Sequence, residues 1–127
     1  MREDILFYFG PDPAVLPLYE ALAARLDELF PTSAVTVQKT QITFRDPHSY
    51  CVVSLPTRRR KGWPEHCLIV TFGLGTRLES PRVVQSAQPY PGRYTHHVPV
   101  AQAAQIDREL ISWVILSHGF SGRHARS

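Results

Sequence analysis

Apolar residues recur at helical spacing near both ends of the chain. The first such stretch follows Asp12-Pro13, where an aspartate can cap free amides and a proline is tolerated, and it stops at Pro31. Its apolar positions are Val15, Leu18, Tyr19, Leu22, Leu26, Leu29 and Phe30. The second stretch runs from about Gln102 to His118, with an apolar face of Ile106, Leu110, Trp113 and Val114. This spacing predicts an amphipathic helix at each end of the chain.

Between the two helices, short apolar runs alternate with turn residues. The segments Val35-Thr36-Val37 and Ile42-Thr43-Phe44 alternate as strands do. Their apolar positions are out of phase, and a side-chain period of two cannot change phase within a regular strand. The intervening segment Gln38 to Gln41 is therefore predicted to form a bulge or a turn.

Longer runs complete the predicted sheet. Nearly continuous apolar runs over Tyr50 to Leu55 and Cys67 to Leu74 are typical of strands covered on both faces. A weaker strand is predicted over Arg82 to Ala87, a turn over Pro89 to Gly92, and another strand over Arg93 to Val100. The order of helix, about five strands and helix predicts an α+β domain. Its sheet is expected to be mainly antiparallel, flanked by an N-terminal and a C-terminal amphipathic helix.

Length and composition narrow the class of protein. The 127 residues suit a single domain, which we place over residues 1–120, followed by a frayed polar tail over residues 121–127. Hydrophobic residues make up 43% and charged residues 20%, which excludes a disordered chain and a membrane protein. The acidic start and the short apolar stretch Ile5 to Phe9 do not resemble an export signal, so a cytosolic location and no membrane partner are predicted.

Cysteine and histidine usage argues against metal chemistry. Cys51 and Cys67 are expected to be buried thiols in a reducing compartment. The pairs His96-His97 and His66-Cys67 are adjacent, so their side chains point to opposite faces of a strand and neither pair can easily hold one ion. Motifs with metal-ligand spacing are missing from the sequence. We predict neither a metal nor a cofactor.

The run from Pro89 to His97, Pro-Tyr-Pro-Gly-Arg-Tyr-Thr-His-His, has a distinctive composition. Further distinctive positions are Val37 to Ile42, Ser80-Pro81-Arg82, and Asp107 and Leu110 on the last helix. Together they resemble the bacterial domain family of unknown function DUF5655. The resemblance implies a compact bacterial α+β domain and supplies no activity. It weakens at Ser117 to Phe120, where the family favours an acidic helix end rich in Ala and Tyr.

The densest polar grouping lies on the predicted strand from Arg93 to Val100. Alternate side chains of a strand share a face, so Arg93, Thr95 and His97 are predicted to lie together. His96 falls with the apolar positions, and we interpret it as a hydrogen-bonded histidine in the core or at its boundary. Arginine suits an anionic group, and His97 can donate a hydrogen bond or move a proton near neutral pH.

A second polar group lies at the predicted phase break and includes Lys39 and Gln41. If this break and the Arg93 face opened into a common recess, donors from Lys39, Arg93 and His97 would converge on one anion. The predicted ligand-binding residues are Lys39, Gln41, Arg93, Thr95 and His97. The alternative interpretation is a solvated polar face without a ligand.

The strongest electrostatic feature is a predicted hairpin loop with four consecutive cations. These are Arg58, Arg59, Arg60 and Lys61, and Trp63 follows closely. Such a loop can grip phosphates and stack a base. However, the net charge of +3 falls short of a strongly basic stripe, which favours a solvated loop whose charge protects neighbouring strands.

Three functions are therefore considered, in decreasing order of support. The first is a non-catalytic module that binds a small anionic ligand or an acidic peptide. The second is a nucleic-acid-binding accessory domain that uses the loop from Arg58 to Trp63. The third is a small enzyme with His97 as a general base. A homodimer remains open, either through an edge strand or through the helix face around Trp113.

Overall fold

The structure is a computed structural model that describes residues 2–56 and 62–124. Within these residues it has three α-helices and six β-strands. The helices are α1 (Glu3–Tyr8), α2 (Leu16–Leu29) and α3 (Arg108–His124). The strands are β1 (Ala34–Val37), β2 (Ile42–Arg45), β3 (Ser49–Ser54), β4 (Leu68–Leu74), β5 (Gln85–Tyr90) and β6 (Arg93–Val100). Short 3-10 helices at Pro13–Val15 and Ala103–Gln105 precede α2 and α3.

The six strands form one antiparallel sheet in the order β1-β2-β3-β4-β6-β5. The predicted α+β class and antiparallel sheet are confirmed, and the segment Gln38 to Gln41 is the turn between β1 and β2. The predicted number of about five strands is too low by one. The edge strand β5 starts three residues later than the weak strand predicted from Arg82, and most of its residues are exposed. An exposed edge strand needs no apolar alternation, which is why the pattern marked it poorly.

The two faces of the sheet differ in what covers them. On one face, Val53, Val70 and Val98 pair across β3, β4 and β6 and are fully buried in a core that includes residues of all three helices. The opposite face carries a row that crosses all six strands, formed by Thr36, Thr43, Val52, Thr71, His97 and Gln85. Val52 does not belong to the core cluster. We call this second surface the open face.

The start of α2 differs from the prediction at Asp12. The helix begins at Leu16, after the 3-10 turn, and the Asp12 side chain does not cap it. Its carboxylate Oδ1 instead lies 2.9 Å from Nδ1 of His66, across the fold. The predicted cap was wrong because a hydrogen bond with a distant histidine replaces the local bond. The predicted apolar face is confirmed from Leu18 to Leu26, but Leu29 at the end of α2 is 40% exposed.

Arg82 ties the loop before β5 to the start of α3. Its Nη1 donates to the Asp107 carboxylate at 3.0 Å and to Glu109 at 2.9 Å. Asp107 also accepts a hydrogen bond from the backbone N–H of Leu110, and that bond together with Arg82 lowers the pKa of its carboxyl. The guanidinium lies 5.6 Å from the ring centre of Trp113, which is only 7% exposed. The Trp113 side chain is therefore part of the core, and a homodimer through this helix stays a prediction.

Ser117 joins α3 to the sheet where β3 and β4 part. Its hydroxyl donates to the carbonyl oxygen of Tyr50 at 2.7 Å and accepts the N–H of Gly73 at 3.2 Å. A buried side chain thus satisfies two backbone groups that have left the strand ladder. Beyond it, α3 continues to His124, past the predicted start of a frayed tail at Ser121. Ser121 is buried, and its hydroxyl donates to the carbonyl oxygen of His118.

Both cysteines are free thiols in the core, as predicted. Burial raises the pKa of the Cys51 thiol to about 12, so it stays protonated and unreactive. Burial also raises the pKa of Cys67. Among residues 2–56 and 62–124, no helix has the length and apolar character needed to cross a membrane.

Candidate ligand-binding face of the sheet

Strand β6 separates its polar residues onto the two faces of the sheet. Thr95 pairs with Gly73 and His97 with Thr71, in rows on the open face. His96 pairs with Phe72 on the core face and is fully buried. The faces predicted for these strand residues are confirmed, including the core position of His96.

The guanidinium of Arg93 lies flat against β4. A Cβ built on Gly73 would lie 2.7 Å from the Cζ and Nη2 atoms of Arg93, so a larger residue at this position displaces the guanidinium. The ring centre of Phe120, on α3, lies 5.8 Å from the Cζ of Arg93. The Arg93 side chain makes no hydrogen bond or ion pair with any residue in the described ranges, 2–56 and 62–124. Its position is thus defined while its N–H donors stay available for an anion.

His97 lies beside Thr71 on the same face. Its Nδ1 is 2.8 Å from the Thr71 hydroxyl, and the imidazole is half-buried. Burial lowers the pKa of His97, and the neighbouring His96 lowers it further. The ring is therefore neutral at pH 7, and one of its nitrogens is left to bond a ligand.

The spacing of these groups favours an extended ligand. Gly73, which underlies the Arg93 guanidinium, and Thr71 are alternate residues of β4, so the two polar groups are about 7 Å apart. A single small anion reaches both groups only with one oxygen on each and with both hydrogen bonds fully extended. Alternate side chains of an extended peptide have the same spacing of about 7 Å.

Lys39 lies at the far end of the sheet from Arg93. It follows β1 in the turn before Ile42, and the register carries Ile42 through Val53 of β3 and Val70 of β4 to Val98, near the end of β6. Arg93 is the first residue of β6, and two strands separate β2 from it. The predicted convergence was wrong, because the register places Lys39 and Arg93 at opposite ends of the sheet and strands β3 and β4 separate Lys39 from His97.

Gln41 is also occupied elsewhere on the open face. Its Nε2 donates to Oε1 of Gln38 and to the hydroxyl of Thr43, each at 3.2 Å. The Thr43 hydroxyl in turn donates to Gln38 at 3.1 Å. These three side chains satisfy one another, so Gln41 stabilises the β1–β2 turn and lies apart from Arg93.

The predicted cationic loop falls mostly outside the residues that the structure describes. Arg58, Arg59, Arg60 and Lys61 lie outside the described residues, so a nucleic-acid contact there stays a prediction. Trp63 is described and is half-buried.

Comparison with family models gives one finding. The model of DUF5655, a domain of unknown function, matches residues 7–121. The chain belongs to the DUF5655 family. The match contains the whole sheet and with it every open-face residue described above. Comparison with curated proteins and comparison with solved structures each gave no match.

In this DUF5655 domain, the Thr71–His97 pair also has the form of a hydroxyl beside an imidazole base. Nucleophilic catalysis needs a third group to orient the base and donors to stabilise an oxyanion. Within residues 2–56 and 62–124, no carboxylate bonds the free nitrogen of His97. The same residues hold no group of three side chains suited to a metal ion. What the pair offers directly is hydrogen bonding to a ligand.

Sequence reasoning missed two members of the open face, Thr71 and Gly73, and it missed the contact of Phe120, on α3, with Arg93. Gly73 did carry a signal, because an isolated glycine inside an apolar strand often marks the close approach of another group. The glycine alone does not show which group approaches it. Arg93 lies against Gly73 only because β4 pairs with β6.

Proposed function

We propose that this domain is a non-catalytic binding module for an extended acidic peptide, which lies on the open face along β4 and β6. The observation that carries the proposal is the guanidinium of Arg93. It lies against Gly73 with no hydrogen bond or ion pair to any described residue. An arginine held in this way loses little side-chain freedom on binding, and its planar fork matches a carboxylate.

The second contact is the Thr71–His97 pair. A peptide carboxylate on Arg93 brings the side chain two residues along over this pair, at the spacing derived above. A carboxylate, amide or hydroxyl at that second position can bond the free nitrogen of His97. Because the imidazole is neutral at pH 7, the pair contributes hydrogen bonding, while Arg93 supplies the charge.

A peptide-binding titration tests the proposal. The probe is a fluorescent peptide with glutamate at alternate positions, Ser-Glu-Ser-Glu-Ser-Glu-Ser, measured by anisotropy at low and moderate salt. We expect saturable binding that weakens with salt, and Arg93→Gln should weaken it about tenfold, as for loss of one charge-assisted pair. A peptide of the same composition with its glutamates contiguous should bind less well.

The matched control is Arg25→Gln, an exposed arginine on α2. This change lowers the net charge equally and should leave the affinity within about twofold, since surface charges far from a site act only through a screened field. Equal losses from the two substitutions would show a non-specific charge effect and reject the site. Failure of the wild-type domain to bind the probe at low salt would reject the function.

The nucleic-acid-binding and enzymatic functions stay predictions. The nucleic-acid alternative depends on residues 58–61, and the enzyme alternative needs a substrate to be named. The cytosolic location and bacterial origin expected from the sequence and its family resemblance are likewise untested.

A further inference from the structure

Helix α1 carries Phe7, the most exposed large apolar side chain among the described residues. Ile5 and Phe9 enter the core, and the Tyr8 hydroxyl donates to the carbonyl oxygen of Thr40. These contacts fix the helix against the sheet and turn its other side outward. Phe7 is 87% exposed and Leu6 is 46% exposed, although the exposure of apolar side chains to water is unfavourable in free energy.

The exposed side of α1 forms one wall of a groove beside the edge strand β1. The groove has a volume of about 900 Å³. Leu6, Phe7 and Pro11 line it from the side of α1, and Val37 lines it from the side of β1. A wide apolar groove of this kind is typical of a surface that another polypeptide covers.

The two rims of the groove carry opposite charges. Glu3 and Asp4 lie on the helix rim, and Lys39 lies on the hairpin rim. Asp4 is already paired with Arg2, at 2.7 Å. Glu3 and Lys39 make no ion pair with each other or with another residue of the described ranges.

We infer that the occupant of this groove is a second copy of the same chain, related by a two-fold axis. In a two-fold interface each patch meets its own copy, so a patch with one acidic and one basic rim is complementary to itself. The axis brings Lys39 of each copy to Glu3 of the other. It also lays each Phe7 into the apolar groove of the opposite copy.

The edge of β1 argues for side-chain contact rather than a continuous sheet across the dimer. Nη1 of Arg2 donates to the carbonyl oxygen of Val35 at 2.9 Å. This bond occupies an edge carbonyl that a second β1 strand would need. The interface is then small, built around one aromatic anchor per copy, and its dissociation constant should fall in the micromolar range or above.

A charge-reversal experiment tests the dimer by sedimentation equilibrium and light scattering on the full chain. The wild type should show a concentration-dependent monomer–dimer equilibrium that weakens with salt. Glu3→Lys alone and Lys39→Glu alone each place like charges across the axis, and each should weaken the dimer about tenfold or more. An equimolar mixture of the two variants restores both opposite-charge pairs, so it should form a mixed dimer of near wild-type affinity.

Phe7→Ser tests the apolar half of the interface. Because Phe7 is almost fully exposed, the substitution should leave the melting temperature of the monomer unchanged while it abolishes dimerisation at the concentrations tested. The control is Leu116→Ser, which alters an exposed apolar residue of α3, and it should leave the dimer intact. A wild type that stays monomeric at millimolar concentration overturns the inference, as does a dimer indifferent to Phe7→Ser or mixed variants that fail to associate.

Discussion

The adjacent histidines of β6 occupy opposite environments. His96 faces the helices and is fully buried, with its Nε2 accepting the N–H of Leu78 at 2.9 Å. The His97 ring lies on the open face, and its one side-chain hydrogen bond to the described residues is with the Thr71 hydroxyl. The difference teaches that one strand can place neighbouring side chains of the same type in a structural position and in the proposed binding position. The sheet itself keeps the two tasks apart.

The bond to Leu78 also decides the tautomer of His96. Since the Leu78 N–H must donate to Nε2, the neutral ring carries its proton on Nδ1. That nitrogen is buried near the backbone of Phe72, without a hydrogen bond of normal geometry to the described residues. Burial lowers the pKa of His96, which keeps the ring neutral in the core.

The largest expected effect comes from removing the buried ring. His96→Ala leaves a cavity and an unsatisfied Leu78 N–H, so we expect the free energy of unfolding to fall by about 3 kcal/mol. His97→Ala, on the half-buried side, should cost less than about 1 kcal/mol. Urea denaturation of both variants measures the difference, and similar losses would contradict the separation of tasks.

A second test asks how much another buried polar side chain, Ser117, contributes to the free energy of unfolding. Ser117→Ala leaves the N–H of Gly73 and the carbonyl of Tyr50 without their buried partner, and should cost about 2 kcal/mol. Ser112→Ala is the control on the same helix, because its exposed hydroxyl bonds only the nearby carbonyl of Glu109. Urea denaturation should show little change for the control, and equal losses would mean that helix propensity explains both.

A third test concerns the open face, at Gly73. In Gly73→Ala the new Cβ displaces the Arg93 guanidinium, so affinity for the glutamate peptide should fall about tenfold, or about 1.4 kcal/mol. Stability should change by less than about 1 kcal/mol, since the displaced atoms end a flexible side chain and alanine favours the strand over glycine. Peptide titration and urea denaturation on the same sample separate the effects. Unchanged affinity would show that the position of Arg93 is irrelevant.

The smallest expected effect is a pH dependence of stability. Both histidines have lowered pKa values in the folded protein, so the unfolded chain binds more protons below its own histidine pKa of about 6.5. Stability is therefore full above that pH and declines as the pH falls towards the folded-state values. The melting temperature of the His96→Gln/His97→Gln variant should depend less on pH between about 7.5 and 5.5 than that of the wild type. Equal slopes would refute the assignment.

Local patterns in the sequence predicted much of the fold. The bounds of β6, the alternation of its faces and the apolar side of α2 follow from periods of two and 3.6, which act within one element. The position of Lys39 relative to Arg93 follows from the order of the strands in the sheet. The position of Arg82 relative to Asp107 follows from how the chain folds back between them. Packing between elements sets these relative positions, and no pattern within a single sequence reveals them. The candidate site was therefore half predicted: its β6 residues were identified, but its β4 residues were not.

The two attachments of α3 have a consequence for how this chain can vary. Arg82 fixes the helix at Asp107, and the separating strands β3 and β4 fix it again at Ser117. A helix turns by about 100° per residue, so inserting a single residue between these points would swing one of them away from its partner. The spacer between Asp107 and Ser117 is thus locked in length.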